Sequence, residues 1–145
     1  MSTIAAISTG QAAGGIGIVR ISGENALNIA DRIFKSVSGL KLNELSGYRA
    51  ALGTVFLEEK PVDEAIATVF RAPKSYTGED VVELSCHGGL YVTRQVLRAA
   101  LSAGAVAAEH GEVTKRAFLN SKMDLTKAEA VMSIISAQGE QAKAA

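Results

Sequence analysis

Hydrophobic and polar positions follow two different periods along this chain. Segments with a period of two, or with a short apolar run, predict strands, because successive side chains of a strand point to opposite faces of its sheet. Segments with a period near 3.6 predict helices, because their apolar residues share one face. The predicted strands are Ile16–Ser22, Tyr48–Leu57, Asp63–Phe70, Val81–Cys86 and a last one near Ala105–Glu109. The predicted helices are residues 24–35 and the segment between the Gly88-Gly89 pair and Gly104.

Two neighbouring predicted strands, Tyr48–Leu57 and Asp63–Phe70, are joined by the polar segment Glu58–Val62 and should form a hairpin. Strands and helices are intermingled along the rest of the chain. This arrangement favours an α+β fold, a mixed β-sheet with flanking helices, over a purely parallel doubly wound sheet. The apolar stripe predicted for the second helix consists of Leu90, Val96, Leu97, Ala100 and Leu101.

The end of the chain carries a helix-start signature. Thr126 and Glu129 have the S/T-x-x-E spacing of a capping box, in which each side chain accepts a backbone N–H at a helix start. Apolar residues then follow on one helical face as far as Ile135, and good helix formers resume after Gly139. We therefore expect a helix from Thr126 towards Ala145, in a chain that is the front piece of a larger protein.

Composition narrows the class of protein. With 145 residues, of which 48% are hydrophobic, the chain can bury one core, so one domain with an appendage is expected. The charges of its 15 basic and 15 acidic residues cancel, so the chain has no net positive charge to attract nucleic acid. One cysteine excludes an intrachain disulfide, no apolar run approaches the roughly 18 residues of a membrane span, and no signal peptide is visible. We expect a soluble cytoplasmic protein that does not enter a membrane.

The glycine-rich segment that begins at Gly10 lacks the chemistry of a nucleotide-binding loop. Gly10 and Gly15 have the spacing of a phosphate loop. Ile16 and Gly17, however, occupy the positions that require a lysine and a serine or threonine. The chain is therefore expected to bind no nucleoside triphosphate through this loop.

A metal site is not expected either. Cys86 and His87 are adjacent, and the only other histidine is His110, whereas zinc needs three or four ligands at workable spacings. Neighbouring residues on a strand also point to opposite faces, which argues against a catalytic Cys/His pair. The more ordinary interpretation is a strand end that turns into a helix on two glycines.

Arg20 and Glu83 are the candidate binding residues, because each interrupts an apolar strand. A charged side chain at such a position is costly unless it faces water, a partner or a ligand. Glu83 could accept two parallel N–H donors from a planar amino-heterocycle, such as a pterin or guanine. The two side chains could equally pair with each other, and the residues alone do not rank these alternatives.

A basic cluster near the end of the chain is typical of a solvated helix start. It consists of Lys115, Arg116, Lys122 and Lys127.

Four segments appear in the order and spacing typical of one family. They are GGIGIVRISG (residues 14–23), SYTGEDVVEL (75–84), HGG (87–89) and the stretch from GEVTKRAFLN to Glu129 (111–129). Together they resemble the N-terminal region of the tRNA modification GTPase family MnmE, also called TrmE. The resemblance implies a folate-binding and dimerisation domain over residues 1–118, similar to tetrahydrofolate-binding domains. It also implies the truncated start of a central helical domain over residues 119–145.

The resemblance also implies a function. Members of the family form homodimers, bind 5-formyl- or 5,10-methylene-tetrahydrofolate, and work with the flavin-using MnmG protein. The complex places a carboxymethylaminomethyl-type group on carbon 5 of the tRNA wobble uridine. GTP, magnesium and potassium belong to a GTPase domain whose motifs this chain does not contain, so the chain itself is expected to be inactive and to hold no catalytic residue. By motif position, the family's folate contacts correspond to Arg20, Glu83 and Lys122.

Two other functions remain open at this point. One is a folate-dependent one-carbon enzyme that resembles the aminomethyltransferases and shares the folate-binding fold. The other is a purely structural dimerisation module in which Arg20 and Glu83 only pair with each other.

Overall fold

A computed structural model of the chain describes residues 1–8 and 15–120. The predicted helix from Thr126, the glycine-rich segment from Gly10 to Gly14 and the candidate residue Lys122 lie outside the described residues.

The described residues form one mixed sheet with three α-helices. The strands are β1 (Ile4–Ile7), β2 (Gly17–Ser22), β3 (Phe34–Ser36), β4 (Arg49–Leu57), β5 (Lys60–Phe70), β6 (Val81–Cys86) and β7 (Val106–Ala107). The helices are α1 (Ala26–Ile33), α2 (Gly89–Ser102) and α3 (Glu112–Leu119), with one 3₁₀ turn at Leu42–Glu44. The strand order is β3-β4-β5-β6-β2-β1-β7, and neighbours are antiparallel except for the parallel pair β1 and β7. The predicted α+β fold is confirmed.

The hydrophobic core lies on one face of this sheet, under α1 and α2. On β2 and β6 the core residues alternate with the strand period and meet in register, as Val19 does with Leu84 and Ile21 with Val82. The helices contribute small and branched side chains to the same cluster, among them Leu27, Ile29, Ala30, Val96, Ala99 and Ala100. We call this the covered face of the sheet.

Gly17 lets α2 approach the covered face closely. A Cβ atom at this position would overlap the side chain of Thr93, which is buried on α2. The helix backbone and β2 can therefore come together only where the strand has no side chain.

The first predicted helix, residues 24–35, is wrong at both ends, because α1 covers only Ala26–Ile33. The chain leaves the helix at Phe34 and pairs with β4 as the edge strand β3, with Phe34 opposite Val55. The buried Phe34 ring and the ladder hydrogen bonds favour strand over the helical period that the sequence shows.

The predicted hairpin is confirmed, but its turn is shorter than the segment Glu58–Val62. Only Glu58 and Glu59 lie between the strands, with φ angles of 51° and 69°. A two-residue turn with two positive φ angles matches the twist of antiparallel strands, so β5 already begins at Lys60.

The stripe predicted for α2 is partly wrong. Val96 and Ala100 are buried and Leu97 and Leu101 partly so, but Leu90 is exposed, since Thr93 occupies the inner position near the helix start. The last strand is also shorter than predicted and covers only Val106–Ala107. None of the helices in the described ranges has the length and apolar character needed to cross a membrane.

Candidate functional site

Arg20 and Glu83 lie opposite each other on the second face of the sheet, which we call the open face. The register of β2 and β6 pairs them directly. Nε of Arg20 donates to Oε2 of Glu83 over 2.8 Å, and Nη2 lies 2.7 Å from the same oxygen. Their side chains remain 20% and 21% exposed. The structure thus brings together two of the three residues singled out from the sequence, and in this structure they pair with each other.

This pairing leaves hydrogen-bonding capacity on both side chains. Glu83 accepts both contacts on Oε2, and its Oε1 accepts no hydrogen bond from another described residue. Nη1 of Arg20 likewise donates no hydrogen bond to a described residue. As far as the described residues are concerned, Glu83 can accept and Arg20 can donate one further hydrogen bond, which suits a ligand that offers both a donor and an acceptor.

Tyr76 completes the surroundings of Arg20. The guanidinium carbon lies 5.0 Å from the centre of the Tyr76 ring, within the range of a cation–π contact. Tyr76 belongs to the loop over residues 71–80, which connects β5 to β6 and which we call the Tyr76 loop. Beside this ring, a cavity of about 290 Å³ is lined by Tyr48, Phe70, Lys74, Ser75 and Tyr76.

Arg116 contradicts the interpretation of the basic cluster as solvated. It is only 2% exposed. Nη1 of Arg116 donates to both carboxylate oxygens of Glu79 over 3.1 and 3.2 Å, and Nη2 donates to Glu112 over 2.9 Å. A buried guanidinium needs such partners, since removing a charge from water is costly unless it is paired. The prediction for Arg116 was therefore wrong.

The Arg116 cluster extends to β2 and to the Tyr76 loop. Ser22 donates to Glu79 over 2.9 Å and shares a 2.6 Å hydrogen bond with the hydroxyl of Thr77. Asn120 donates its amide N–H to the carbonyl of Thr77 over 2.9 Å. We use the name Arg116 cluster for Ser22, Thr77, Glu79, Glu112, Arg116 and Asn120.

One signal in the sequence pointed to part of this cluster. Glu112 and Arg116 stand four residues apart, the spacing of a favourable pair on one helix face. The contact with Glu79 spans 37 residues along the chain and has no local signature.

Cys86 and His87 do not form a reactive pair. Cys86 is fully buried on the covered face, and burial raises the pKa of its thiol to about 11, with a further increase from the Asp63 carboxylate. The thiol is therefore protonated at neutral pH and is a poor nucleophile and a poor metal ligand. Within residues 1–8 and 15–120, no three acidic, histidine or cysteine side chains are grouped as a metal site would require.

Comparison with known proteins points to one family. Residues 3–122 match the family described as the N-terminus of the GTP-binding protein TrmE. The chain is 54% identical over 144 residues to the tRNA modification GTPase MnmE of Symbiobacterium thermophilum, which covers 99% of this chain and 32% of the relative. It is 50% identical over 141 residues to the protein of the same name from Lachnoclostridium phytofermentans, with 97% of this chain and 31% of the relative covered. The chain spans about a third of the length of these curated relatives.

Proposed function

The chain belongs to the TrmE N-terminal family, and on that premise we propose that it is the tetrahydrofolate-binding, dimerising part of a tRNA modification GTPase. The whole protein would modify carbon 5 of the wobble uridine together with MnmG. GTP, magnesium and potassium would act in a separate GTPase domain, so the present chain would bind folate without hydrolysing GTP. Residues 1–118 would form the folate-binding domain, similar to tetrahydrofolate-binding domains, and residues 119–145 would begin a helical domain.

The observation that carries this proposal is the partly exposed Arg20–Glu83 pair on the open face. The pterin ring of 5-formyl- or 5,10-methylene-tetrahydrofolate offers an amino group and a ring N–H as parallel donors. Glu83 would accept one donor on its open Oε1 and share Oε2 between the other donor and Arg20. The remaining N–H groups of Arg20 would donate to a carbonyl oxygen of the ligand.

Lys122 would supply a second cation to the same ligand, as its motif position in the family implies. An ammonium group suits the carboxylates at the far end of a folate as a point charge rather than as a planar fork. The partners of the protein would be a second copy of itself in a homodimer, MnmG and tRNA.

Calorimetric titration with 5-formyltetrahydrofolate tests the proposal. We expect the chain to bind, and we expect Glu83→Gln to weaken binding roughly ten- to a hundredfold, since a charge-assisted hydrogen bond is lost. Glu64→Gln is the matched control, because Glu64 is an exposed glutamate of β5 on the same face as Glu83. Absence of binding, or equal affinity of the Glu83→Gln variant and the unchanged chain, would overturn the proposal.

One observation favours a different function, a purely structural dimerisation module. Arg20 and Glu83 neutralise each other's charge through a 2.7 Å ion pair, which is the contact that a structural role would need. Under this alternative the chain would bind no folate, and Glu83→Gln would alter stability alone. The same titration therefore separates the two functions.

A further inference from the structure

The Tyr76 loop contacts the open face at two successive positions of one strand. Arg20 and Ser22 stand two residues apart on β2 and so point to the same side of the sheet. Arg20 contacts the ring of Tyr76. Ser22 contacts the next residue of the loop, Thr77, and also Glu79.

The residues on either side of Tyr76 are anchored, whereas the Tyr76 ring is not buried. Thr77 is fully buried, and its hydroxyl also accepts from the backbone N–H of Glu79. The hydroxyl of Ser75 donates to the carbonyl of Glu79, which closes the loop on itself. Tyr76 is 39% exposed, and its ring lies against the guanidinium of Arg20 and lines a cavity together with Tyr48 and Phe70. The anchored residues on either side of Tyr76 therefore fix the point at which its side chain leaves the loop.

Two residues connect α3 to this loop: Asn120 at the helix end, through the carbonyl of Thr77, and Arg116, which makes the charged contacts. Nη1 of the Arg116 guanidinium donates to both carboxylate oxygens of Glu79, and Nη2 donates to the carboxylate of Glu112 on α3. Glu79 in turn receives the hydroxyl of Ser22. Because the arginine is buried and its partners are charged, each of these hydrogen bonds is strong and poorly replaced by water.

We propose that Arg116 is a positioning residue of the open-face site: through Glu79 and Thr77 it holds the Tyr76 ring against Arg20. The consequence for ligand affinity rests on the proposed folate binding, but the placement of the ring does not. Arg116 forms no hydrogen bond or ion pair with Arg20 or Glu83, so its polar effect on the site passes through the loop. Loss of the contact between Tyr76 and Arg20 should remove the second support of a guanidinium whose other support is the ion pair with Glu83. We expect this loss to weaken folate binding roughly two- to fivefold.

The chain contains no tryptophan, so a Tyr76→Trp variant carries a single indole that reports on this contact. An indole stacked on a guanidinium and an indole in water differ in emission wavelength, and tryptophan forms the best cation–π contact. We expect Arg116→Gln and Glu79→Gln in this background to shift the emission towards that of exposed tryptophan. Arg116→Lys keeps the positive charge but loses the planar set of guanidinium N–H donors, so it should give an intermediate shift.

Arg32→Gln is the control for general destabilisation. Arg32 of α1 donates to the carbonyl of Ala103 after α2 and forms no hydrogen bond with the Tyr76 loop. All spectra are recorded well below the unfolding midpoint of each variant, established by circular dichroism. If Arg116→Gln gives no folded protein, Arg116→Lys and Glu79→Gln provide the test by themselves.

The proposal is overturned if the folded Arg116 and Glu79 variants keep the emission of their Tyr76→Trp parent, or if Arg32→Gln shifts it equally. Folate titration of the same proteins is a separate experiment that measures their affinity for the ligand. Failure of the parent to bind folate would overturn the proposed function and leave the emission result standing. Shifted emission with unchanged folate affinity would overturn the effect of Arg116 on the binding site.

Discussion

The two faces of the sheet use the same strands for opposite purposes. On β2, Val19 and Ile21 are fully buried under the helices, while Arg20 between them reaches the open face and stays 20% exposed. On β6, Val82 and Leu84 are buried and Glu83 between them is 21% exposed. Because successive side chains of a strand point to opposite faces, one residue here is buried in the core while its neighbour is partly exposed. Substitutions on the covered face should change stability, and those on the open face should change binding.

The open face is itself divided. Near Ser22 and Thr77 it is closed by the Tyr76 loop and α3, where the buried Ser22, Thr77 and Arg116 hydrogen-bond to one another or to the partly exposed Glu79 and Glu112. Towards Leu52 and Ile66, which are opposite each other on β4 and β5, it exposes apolar side chains. The Arg20–Glu83 pair lies between these two regions, where charge is neither fully solvated nor fully enclosed.

The sharpest test of this division compares two leucines. Leu84→Ala on the covered face should lower the free energy of unfolding by about 2–5 kcal/mol, because it leaves a cavity in the core. Leu52→Ala on the open face should cost under about 1 kcal/mol, because Leu52 is 55% exposed. Urea unfolding at low protein concentration measures both. Equal losses would mean that the two faces do not differ as the structure indicates.

The next test uses the pKa of Cys86 on the covered face. Folding raises this pKa from 9.0 to about 11, so between those pH values the unfolded chain loses a proton that the folded chain keeps. The free energy of unfolding should therefore fall as pH rises through this window, by about 1.4 kcal/mol per pH unit at most. Below pH 9 the Cys86 thiol makes its full contribution to the free energy of unfolding.

Cys86→Ala isolates this contribution from the lysines and tyrosines that titrate nearby. The variant should be less stable than the unchanged chain at pH 8, since it loses buried volume, but the difference should shrink at pH 10.5. Urea unfolding at the two pH values gives the comparison. A difference that stays constant would show that the thiol is not shielded from solvent.

A third test concerns the apolar end of the open face. We expect the chain to be a homodimer that covers Leu52 and Ile66 with a second copy, because an isologous interface uses the same patch on both subunits. Burying the exposed half of Leu52 in each copy would contribute about 2 kcal/mol, so Leu52→Glu should weaken the dimer roughly thirtyfold or more. Light scattering distinguishes the dimer from the 15.1 kDa monomer.

Tyr91→Glu is the matched control for that test, since Tyr91 is 74% exposed on α2, on the opposite side of the sheet. We expect it to leave the dimer intact. If the unchanged chain scatters as a monomer at high concentration, or if only the Tyr91 variant dissociates, the open face is not the interface.

Sequence patterns predicted the covered face better than the open face. The bounds of β6 follow directly from its apolar run, and Val96 and Ala100 of the stripe predicted for α2 lie in the core. Arg20 and Glu83 were visible because each breaks an apolar strand, although their direct pairing could not be ranked above the alternatives. In each case the signal was local, carried by the period of a single element.

The features that sequence reasoning missed depend on distant contacts or on unusual backbone angles. Arg116 resembles any surface arginine until Glu79, 37 residues away, is placed beside it. Glu58 and Glu59 adopt positive φ angles that residue type alone does not favour, so the tight turn was predicted too long. Phe34 lies in a strand rather than in the predicted helix because it pairs with the edge of β4. For Arg116 and Phe34, tertiary contacts override local preference.

The smallest expected effect concerns Lys122, which tests whether the sheet alone supplies the main folate contacts. Lys122→Ala should weaken 5-formyltetrahydrofolate binding by less than about 1 kcal/mol, or roughly fivefold, because the attraction of a single ammonium point charge is readily screened by salt. Its contribution should also decrease as salt is added. Calorimetric titration at two salt concentrations measures this, with Lys127→Ala from the same cluster as the control. If Lys122→Ala abolished binding while Glu83→Gln bound normally, the open face of the sheet would not be the main anchor of the ligand. The division between a covered face for stability and an open face for binding would then have to include the segment after Asn120.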